Sequence, residues 1–240
     1  MRIGALQPGY LPWLGFFDQI LNTDLFVLYD DMQYNRYSWR NRNYIKGPNG
    51  KILLSIPVLH EWGKKINEVS IDNSKNWRTK HLKSIQHSYR SAPFFNKYIV
   101  FFNKLFRKNW ERLNDLDVEI ILYVVEELGI KTRLIQSSEI GLEKNFSGKD
   151  PNETDFKTER IITCMKELNA DEFYEGAAGK NYINESMLRK ESIKLIFQDY
   201  KHPLYNQQFG EFIPYLSIFD LLFNHGEESL AILTNEKQIN

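Results

Sequence analysis

Apolar positions along the chain gather into short runs whose spacing switches between strand-like and helical. Arg2 to Leu6 is an apolar run closed by Pro8 and Gly9, and Leu25 to Tyr29 is a second run bounded by acids; both read as buried strands. Between them Trp13, Phe16, Phe17, Ile20 and Leu21 recur at helical spacing over Pro12 to Leu21, with Pro12 suited to the first turn. Strand, turn, helix and strand in that order favour a parallel pair with a right-handed crossover. Lys51 to Val58 reads as a further strand, which Pro57 places at an edge or ends.

After Trp77 the pattern turns helical, over Arg78 to Tyr89, Phe94 to Trp110 and Arg112 to Leu128, the last stopped by Gly129. Lys131 to Ile135 reads as a strand, followed by Ser137 and Ser138. A helix from Phe156 to Leu168, a strand near Asp171 to Tyr174, a helix around Asn184 to Lys190 and a strand from Ser192 to Phe197 follow, with a final helical region from Phe212 to Leu233. Strands alternating with helices predict the α/β class. The expected architecture is a Rossmann-like, mostly parallel sheet flanked by helices, as one domain over residues 1–240. A helical insertion lies around 78–128, and a loop rich in Asn, Gly, Ser, Asp and Pro spans 143–154.

Composition narrows the class. The 240 residues are 42% hydrophobic and 26% charged, enough to bury a core without disulfides or structural metal, and the single cysteine, Cys164, excludes a disulfide scaffold. On the face it shares with Ile161 and Leu168, Cys164 reads as a packed thiol. The first residues lack a signal-peptide pattern and no apolar run approaches the ~20 residues of a membrane span. The expectation is a soluble, cytoplasmic protein. Thirty-one basic residues balance thirty-one acids, but Asn73 to Trp110 and Tyr34 to His60 hold no acid, whereas Glu111 to Glu127 is strongly acidic. That asymmetry fits a site for an anionic small molecule, and a solvated basic face would produce it equally.

Five blocks could carry chemistry. In Gln7-Pro8-Gly9-Tyr10-Leu11-Pro12-Trp13-Leu14-Gly15-Phe16-Phe17, a turn between strand and helix, Gln7 and Tyr10 could face a ligand, or the turn could be an aromatic packing elbow. The second block places Asp30, Asp31, Gln33 and Tyr34 after a strand, then Trp39, Arg40, Asn41 and Arg42. Arginines suit phosphate or carboxylate, and Asp31 could take a proton or, with Asp30, hold a metal; a structural ion-pair network is the plainer alternative. Trp77, Lys80 and His81 are spaced to face one side of a helix, and His81 could act as acid or base near neutral pH. Glu175 to Tyr182, with Gly179 and Tyr182, follows a strand as phosphate-binding turns do, without the spacing of a known fingerprint. His202 to Gln207, with Ser217, Asp220 and Asn224 on one helical face, could orient a substrate or cap and cross-link the last helices.

Taken together, these blocks resemble the WbqC-like protein family from Ala5 to about Gly226. The resemblance rests on the Gln7 to Phe17 block, Asp31 to Tyr34, Trp39 to Arg42, Trp77 with Lys80-His81, Ala177 to Gly179 with Tyr182, and Ser217 to Asn224. It implies a role beside O-antigen and other surface-polysaccharide genes: an acyl or aminoacyl (glycine-type) transferase acting on a nucleotide-linked amino sugar. In that reading Arg40, Arg42 and Lys80 bind a diphosphate, His81 or Asp31 takes the amine proton, and Gln7 or Tyr10 holds the acyl carbonyl. Gln33, Tyr34, Trp39, Asn41, Gly179, Tyr182, His202, Asp220 and Asn224 complete the substrate contacts. No tightly held cofactor or metal is expected, only an activated donor on coenzyme A, a carrier protein or a charged tRNA. The competing readings are a non-catalytic nucleotide-sugar or partner-binding module and a metal-dependent hydrolase built on Asp30, Asp31 and a histidine. A fainter likeness runs to the nucleotidylyltransferases, with Trp13-Leu14-Gly15-Phe16 in place of their His-x-Gly-His turn and Ser137-Ser138 in place of a later serine element. Both histidines of that turn are absent here.

Overall fold

A computed structural model describes residues 1–59, 63–146 and 155–236. The short apolar runs become strands β1 (Arg2–Leu6) and β2 (Leu25–Leu28), separated by helix α1 (Leu14–Leu21). A polar hairpin follows, β3 (Arg42–Gly47) with β4 (Gly50–Ser55), and then a two-stranded pair, β5 (Val58–Leu59) with β6 (Ser70–Ile71). Helices α2 (Trp77–Tyr89), α3 (Phe95–Leu105) and α4 (Leu113–Glu127) form the expected helical insertion. The remaining elements are β7 (Arg133–Gln136), α5 (Phe156–Glu167), β8 (Glu172–Glu175), α6 (Glu185–Lys190), β9 (Lys194–Phe197), α7 (Ile218–His225) and α8 (Ser229–Leu233).

Contacts within the chain separate two compact units: Met1–Gln7, Asp18–Met32 and Ile130–Tyr200 form the first, and Pro8–Phe17, Gln33–Gly129 and Lys201–Asn240 the second. The first carries a five-stranded sheet in the order β7-β2-β1-β8-β9. Every pairing in it is parallel. This sheet flanked by helices is the α/β, Rossmann-like class that the hydrophobic pattern predicts. Ile3, Val27 and Phe173 pack against Phe156, Ile161 and Cys164 of α5, each large apolar side chain contributing roughly 1.5–3 kcal/mol on burial. In the second unit an aromatic core joins α2, α3 and α7, with Tyr89 stacked on Phe223 at 4.6 Å and Phe102 against Phe219 at 4.6 Å.

Several boundaries differ from the pattern. Lys51 to Val58 is divided, because Pro57 cannot donate to a ladder, and the polar run Arg42–Gly47, whose alternation is weak, is a full partner of β4. Trp13 lies outside α1 and bridges Ser217. The last helical region starts at Ile218: Pro214 and Tyr215, the latter at φ 60°, hold the chain out of helix, and Ser217 caps α7 by accepting the Phe219 N–H. Gly129, at φ 65°, stops α4 where a side chain would be strained. Of the expected loop 143–154, residues 143–146 end a 3-10 turn, Leu142–Phe146, and 147–154 lie outside the described residues.

Candidate functional site

Three of the five sequence blocks meet in the second unit. The turn after β1 is clasped to the segment before β3: the Tyr10 N–H donates to the Arg40 carbonyl at 3.0 Å, and the Asn43 amide donates to the Leu11 carbonyl at 2.6 Å. Gly9 is glycine because a Cβ there would stand 2.8 Å from the Trp39 carbonyl oxygen. Gly15 has a comparable reason, since the Trp13 ring lies where its Cβ would be. The clasp carries the Tyr10 hydroxyl to Nδ1 of His81 on α2, 2.9 Å away.

His81 is buried between Trp77 and Phe106, with ring centroids at 5.5 and 6.2 Å. Burial pushes its pKa down to about 4, opposed by a hydrogen bond to the Ser55 backbone. A backbone contact that favours the charged ring is one to a carbonyl. The neutral ring therefore donates to Ser55 and accepts the Tyr10 proton at Nδ1. A group at about 4 is a weak base near neutrality, so the geometry suits His81 to holding Tyr10 rather than to carrying a proton alone. Tyr10 itself is fully buried, and desolvation raises its pKa well above the usual phenol value.

The same unit holds a buried acid on α4 that the motif reading missed. Asp117 of α4 is fully buried, and neither of its carboxylate oxygens has a hydrogen-bond partner. Burial raises its pKa well above the carboxylate range, with the Arg40 charge acting the other way. Its charge is felt by Tyr10, Tyr34 and Arg40. Tyr34 is buried and held at about 12, mainly by desolvation. Arg40 is lowered to about 10 by desolvation, against the attraction of Asp117. The signal for Asp117 was present in the sequence: with Leu113, Leu116, Ile120 and Val124 it occupies the apolar stripe of its helix, where a charged residue is exceptional.

Other expected site residues fall outside this cluster. Lys80 does not share the face of Trp77 and His81 but is exposed, because the buried stripe of α2 runs through Trp77, His81, Ile85 and Ser88. Arg42 donates to the Ser38 carbonyl at 3.1 Å and the Arg36 carbonyl at 2.9 Å. Trp39 and Gln33 are exposed, and the Asn41 amide donates to the Ile56 carbonyl at 2.7 Å. Asp220, held at about 6 by burial, accepts from Tyr89 at 2.9 Å and Tyr205 at 3.1 Å. Asn224 donates to the Asp220 carbonyl and accepts from Gln208. His202 donates through Nδ1 to the Pro203 carbonyl and accepts the Tyr215 N–H at Nε2. The fifth block thus ties the last helices and loops together within this unit.

Gln7 and Asp31 belong to the first unit. Its strand order changes direction between β1 and β8, so the crevice beyond their carboxyl ends is where open α/β sheets hold ligands. Gln7 follows β1 there, and Glu175 ends β8. Glu175 is buried and raised to about 7 by desolvation, opposed by hydrogen bonds from the Gly176 N–H and Tyr182. The following turn is 3-10, Ala177–Asn181, and its small residues make room for Glu175 itself: a Cβ at Gly179 would lie 2.3 Å from the Glu175 Cγ. A turn whose first N–H already faces its own carboxyl is not a phosphate cradle. Beyond β2, Asp30 accepts from Ser137 and Ser138, and Asp31 accepts from Ser137 and pairs with the buried Arg160. Both aspartates are thereby engaged in a structural network, and the described residues contain no group of three or more His, Cys, Asp or Glu able to hold a metal. Arg160 was not singled out by the motif reading either. No helix among the described residues is long and apolar enough to cross a membrane.

The chain is 32% identical over 232 residues to the uncharacterized protein Rv1507c of Mycobacterium tuberculosis (strain ATCC 25618 / H37Rv), an alignment covering 95% of each chain. No solved structure gives a significant match. The WbqC-like protein family matches residues 7–232, a span that includes the Tyr10 turn, the Arg40 segment, His81, Asp117 and Asp220. With nearly its whole length matched and its distinctive blocks clasped around one buried cluster, the chain belongs to the WbqC-like protein family.

Proposed function

We propose that this chain transfers an acyl or aminoacyl group to the amine of a nucleotide-linked amino sugar, in the assembly of an O-antigen or another surface polysaccharide. The observation that carries this reading is the convergence of Tyr10, Tyr34, Arg40, His81 and Asp117, from separate segments, on one buried cluster of the second unit. In the reaction the amine nitrogen attacks the donor carbonyl and a C–N bond forms. The C–S bond of a coenzyme A or carrier-protein thioester, or the C–O bond of an aminoacyl-tRNA, breaks. The proton lost by nitrogen ends on the departing thiolate or alkoxide. Arg40 offers paired donors to the sugar-nucleotide phosphates. Tyr10, its proton given to His81, holds the turn after β1 against α2 and so fixes the shape of the cluster around Arg40.

The test is direct. The purified chain is incubated with UDP-, GDP- and dTDP-linked amino sugars and each donor class, and the products are read by mass spectrometry. Amide formation that falls at least tenfold in Tyr10→Phe and Arg40→Ala is expected. No product with any pair, from a protein that still binds one of the sugars, would overturn catalysis. That outcome would favour a non-catalytic nucleotide-sugar-binding module, which the closure of Tyr10 and His81 from solvent and the weak basicity of His81 also support.

A further inference from the structure

We infer that the outward face of the β3–β4 hairpin, with the segment before it, binds a single-stranded RNA end by stacking bases on Trp39 and Tyr44. This names an aminoacyl-tRNA as the donor of the transfer reaction proposed above, and it rests on that reading only for the identity of the RNA. Asn43 and Ile45 of β3 are buried, so alternation turns Arg42 and Tyr44 the other way, while Lys51, Leu53 and Ser55 of β4 are exposed. Tyr44 pairs in register with Leu53, and Arg42 with Ser55. The Trp39 ring lies against Tyr44 at 5.8 Å between centroids, and the Lys51 ammonium stands 5.7 Å from the centre of the Tyr44 ring. These contacts join the residues into one surface.

The segment before β3 is held in shape. The Asn35 Oδ1 accepts the Tyr37 N–H at 2.9 Å, the Ser38 hydroxyl donates to the Asn35 carbonyl at 2.6 Å, and the Arg42 side chain holds the Arg36 and Ser38 carbonyls. A fixed turn therefore presents Tyr37, 84% exposed, beside Trp39, 53% exposed. Large rings grouped in water mark a contact surface. Residues 34–59 supply Arg36, Arg40, Arg42, Lys46 and Lys51 and no acid, which complements a phosphate backbone. Lysine is depleted at the centre of protein interfaces, whereas aromatic faces interleaved with cations are what single strands stack on. A lone nucleotide is mostly enclosed in a cleft; an open sheet face suits a strand lying across it, about two or three bases deep. The acceptor end of a tRNA is such a strand and carries the aminoacyl group on its last ribose. The Tyr10 N–H bonds the Arg40 carbonyl, so this face adjoins the cluster of Tyr10 and His81 along the same backbone.

Fluorescence anisotropy tests the assignment with a labelled RNA of about eight nucleotides ending in CCA, the same sequence closed in a duplex, and coenzyme A, UDP and an acidic acyl carrier protein as competitors. The single strand should bind at least about tenfold tighter than the duplex. Trp39→Ala, and Tyr44→Leu, which keeps an apolar side chain on the strand, should each weaken it at least about fivefold. With Arg36, Arg42 and Lys51 on phosphates, the logarithmic salt slope should be about −2 and shrink by about 0.7 in Lys51→Ala. Absent binding at low salt, equal affinity for the duplex, displacement by any competitor at matching concentration, or a Trp39→Ala chain that binds as the native one would each overturn the assignment. RNA binding lost in both aromatic variants, without amide formation from aminoacyl-tRNA, would leave the RNA site standing and remove only the transfer reaction. Amide formed from a coenzyme A thioester and undiminished in Trp39→Ala, with no RNA bound, would keep the transfer and remove the RNA site.

Discussion

Glu175 is the residue whose titration should be readable in the stability of the whole chain. Burial lifts its carboxyl from the ordinary 4.5 to about 7, so the folded state holds the proton more tightly than the unfolded state does. With the carboxyl's folded value raised, stability falls as the pH climbs from 4.5 through about 7 and is flat above. At about 1.4 kcal/mol per pH unit, ionising Glu175 inside the fold costs about 3 kcal/mol. The perturbation is Glu175→Gln, which keeps the shape and the hydrogen bonds to the Gly176 N–H and Tyr182 but does not ionise. Denaturant unfolding of both proteins near pH 5 and near pH 8 gives a double difference in which every other titrating group cancels. The variant should gain about 2–3 kcal/mol over the native chain between the two conditions, or roughly 2–4 °C of melting temperature per kcal/mol for a chain this size. A double difference below about 0.5 kcal/mol, with both proteins folded, would refute the burial argument, because a solvated carboxyl titrates alike in both states.

Other perturbations test the clasp and the network behind the sheet. Tyr10→Phe strands the buried His81 Nδ1, so it should cost about 1–3 kcal/mol in denaturant unfolding, and a neutral result would show that water replaces the hydroxyl. Arg160→Met leaves Asp31 charged in a site where both side chains are almost fully buried; a loss of about 3–5 kcal/mol is expected, and a loss under 1 would mean that Asp31 is held by its serines alone. Cys164, buried and raised to about 11 chiefly by desolvation, should react with a thiol reagent only in denaturant. Rapid labelling of the native chain would contradict its packing.

The parallel sheet was legible because its signal is local. Arg2–Leu6 and Leu25–Leu28 are short apolar runs bounded by turn residues, and the helix between them forces a crossover. The β3–β4 hairpin was missed because Arg42–Gly47 lacks alternation and is held in place by pairing with Gly50–Ser55, which single-residue preferences do not reveal. Within the candidate site, Tyr10, Arg40 and His81 were visible as unusual residues in dense blocks. Their meeting was not, because the link is a clasp between segments far apart in sequence. Lys80 was misplaced by a turn-spacing argument that counted neighbours without asking where the buried stripe of α2 is centred. Asp117 and Arg160 went unnoticed as members of ordinary charged runs. Both occupy apolar helix faces, Asp117 with Leu116 and Ile120 and Arg160 with Phe156 and Cys164. A charge at a core position is the pattern that would have found them.

That pattern also separates two of the buried acids, Asp31 and Asp117, by purpose. Asp31 accepts from Ser137 and pairs with Arg160 through one oxygen, while its other oxygen has no hydrogen-bond partner. Asp117 has the same burial with no hydrogen bond at all, so it contributes nothing of that kind to the fold while its desolvation costs about 1–3 kcal/mol. A group kept only for stability would not be left in that condition. Asp117→Asn should therefore unfold within about 1 kcal/mol of the native chain near pH 7. Its stability relative to the native chain should rise as the pH climbs above the ordinary carboxylate range, because a raised carboxyl loses stability with rising pH. If the substitution instead cost more than about 3 kcal/mol across that range, Asp117 would be a structural partner of Arg40.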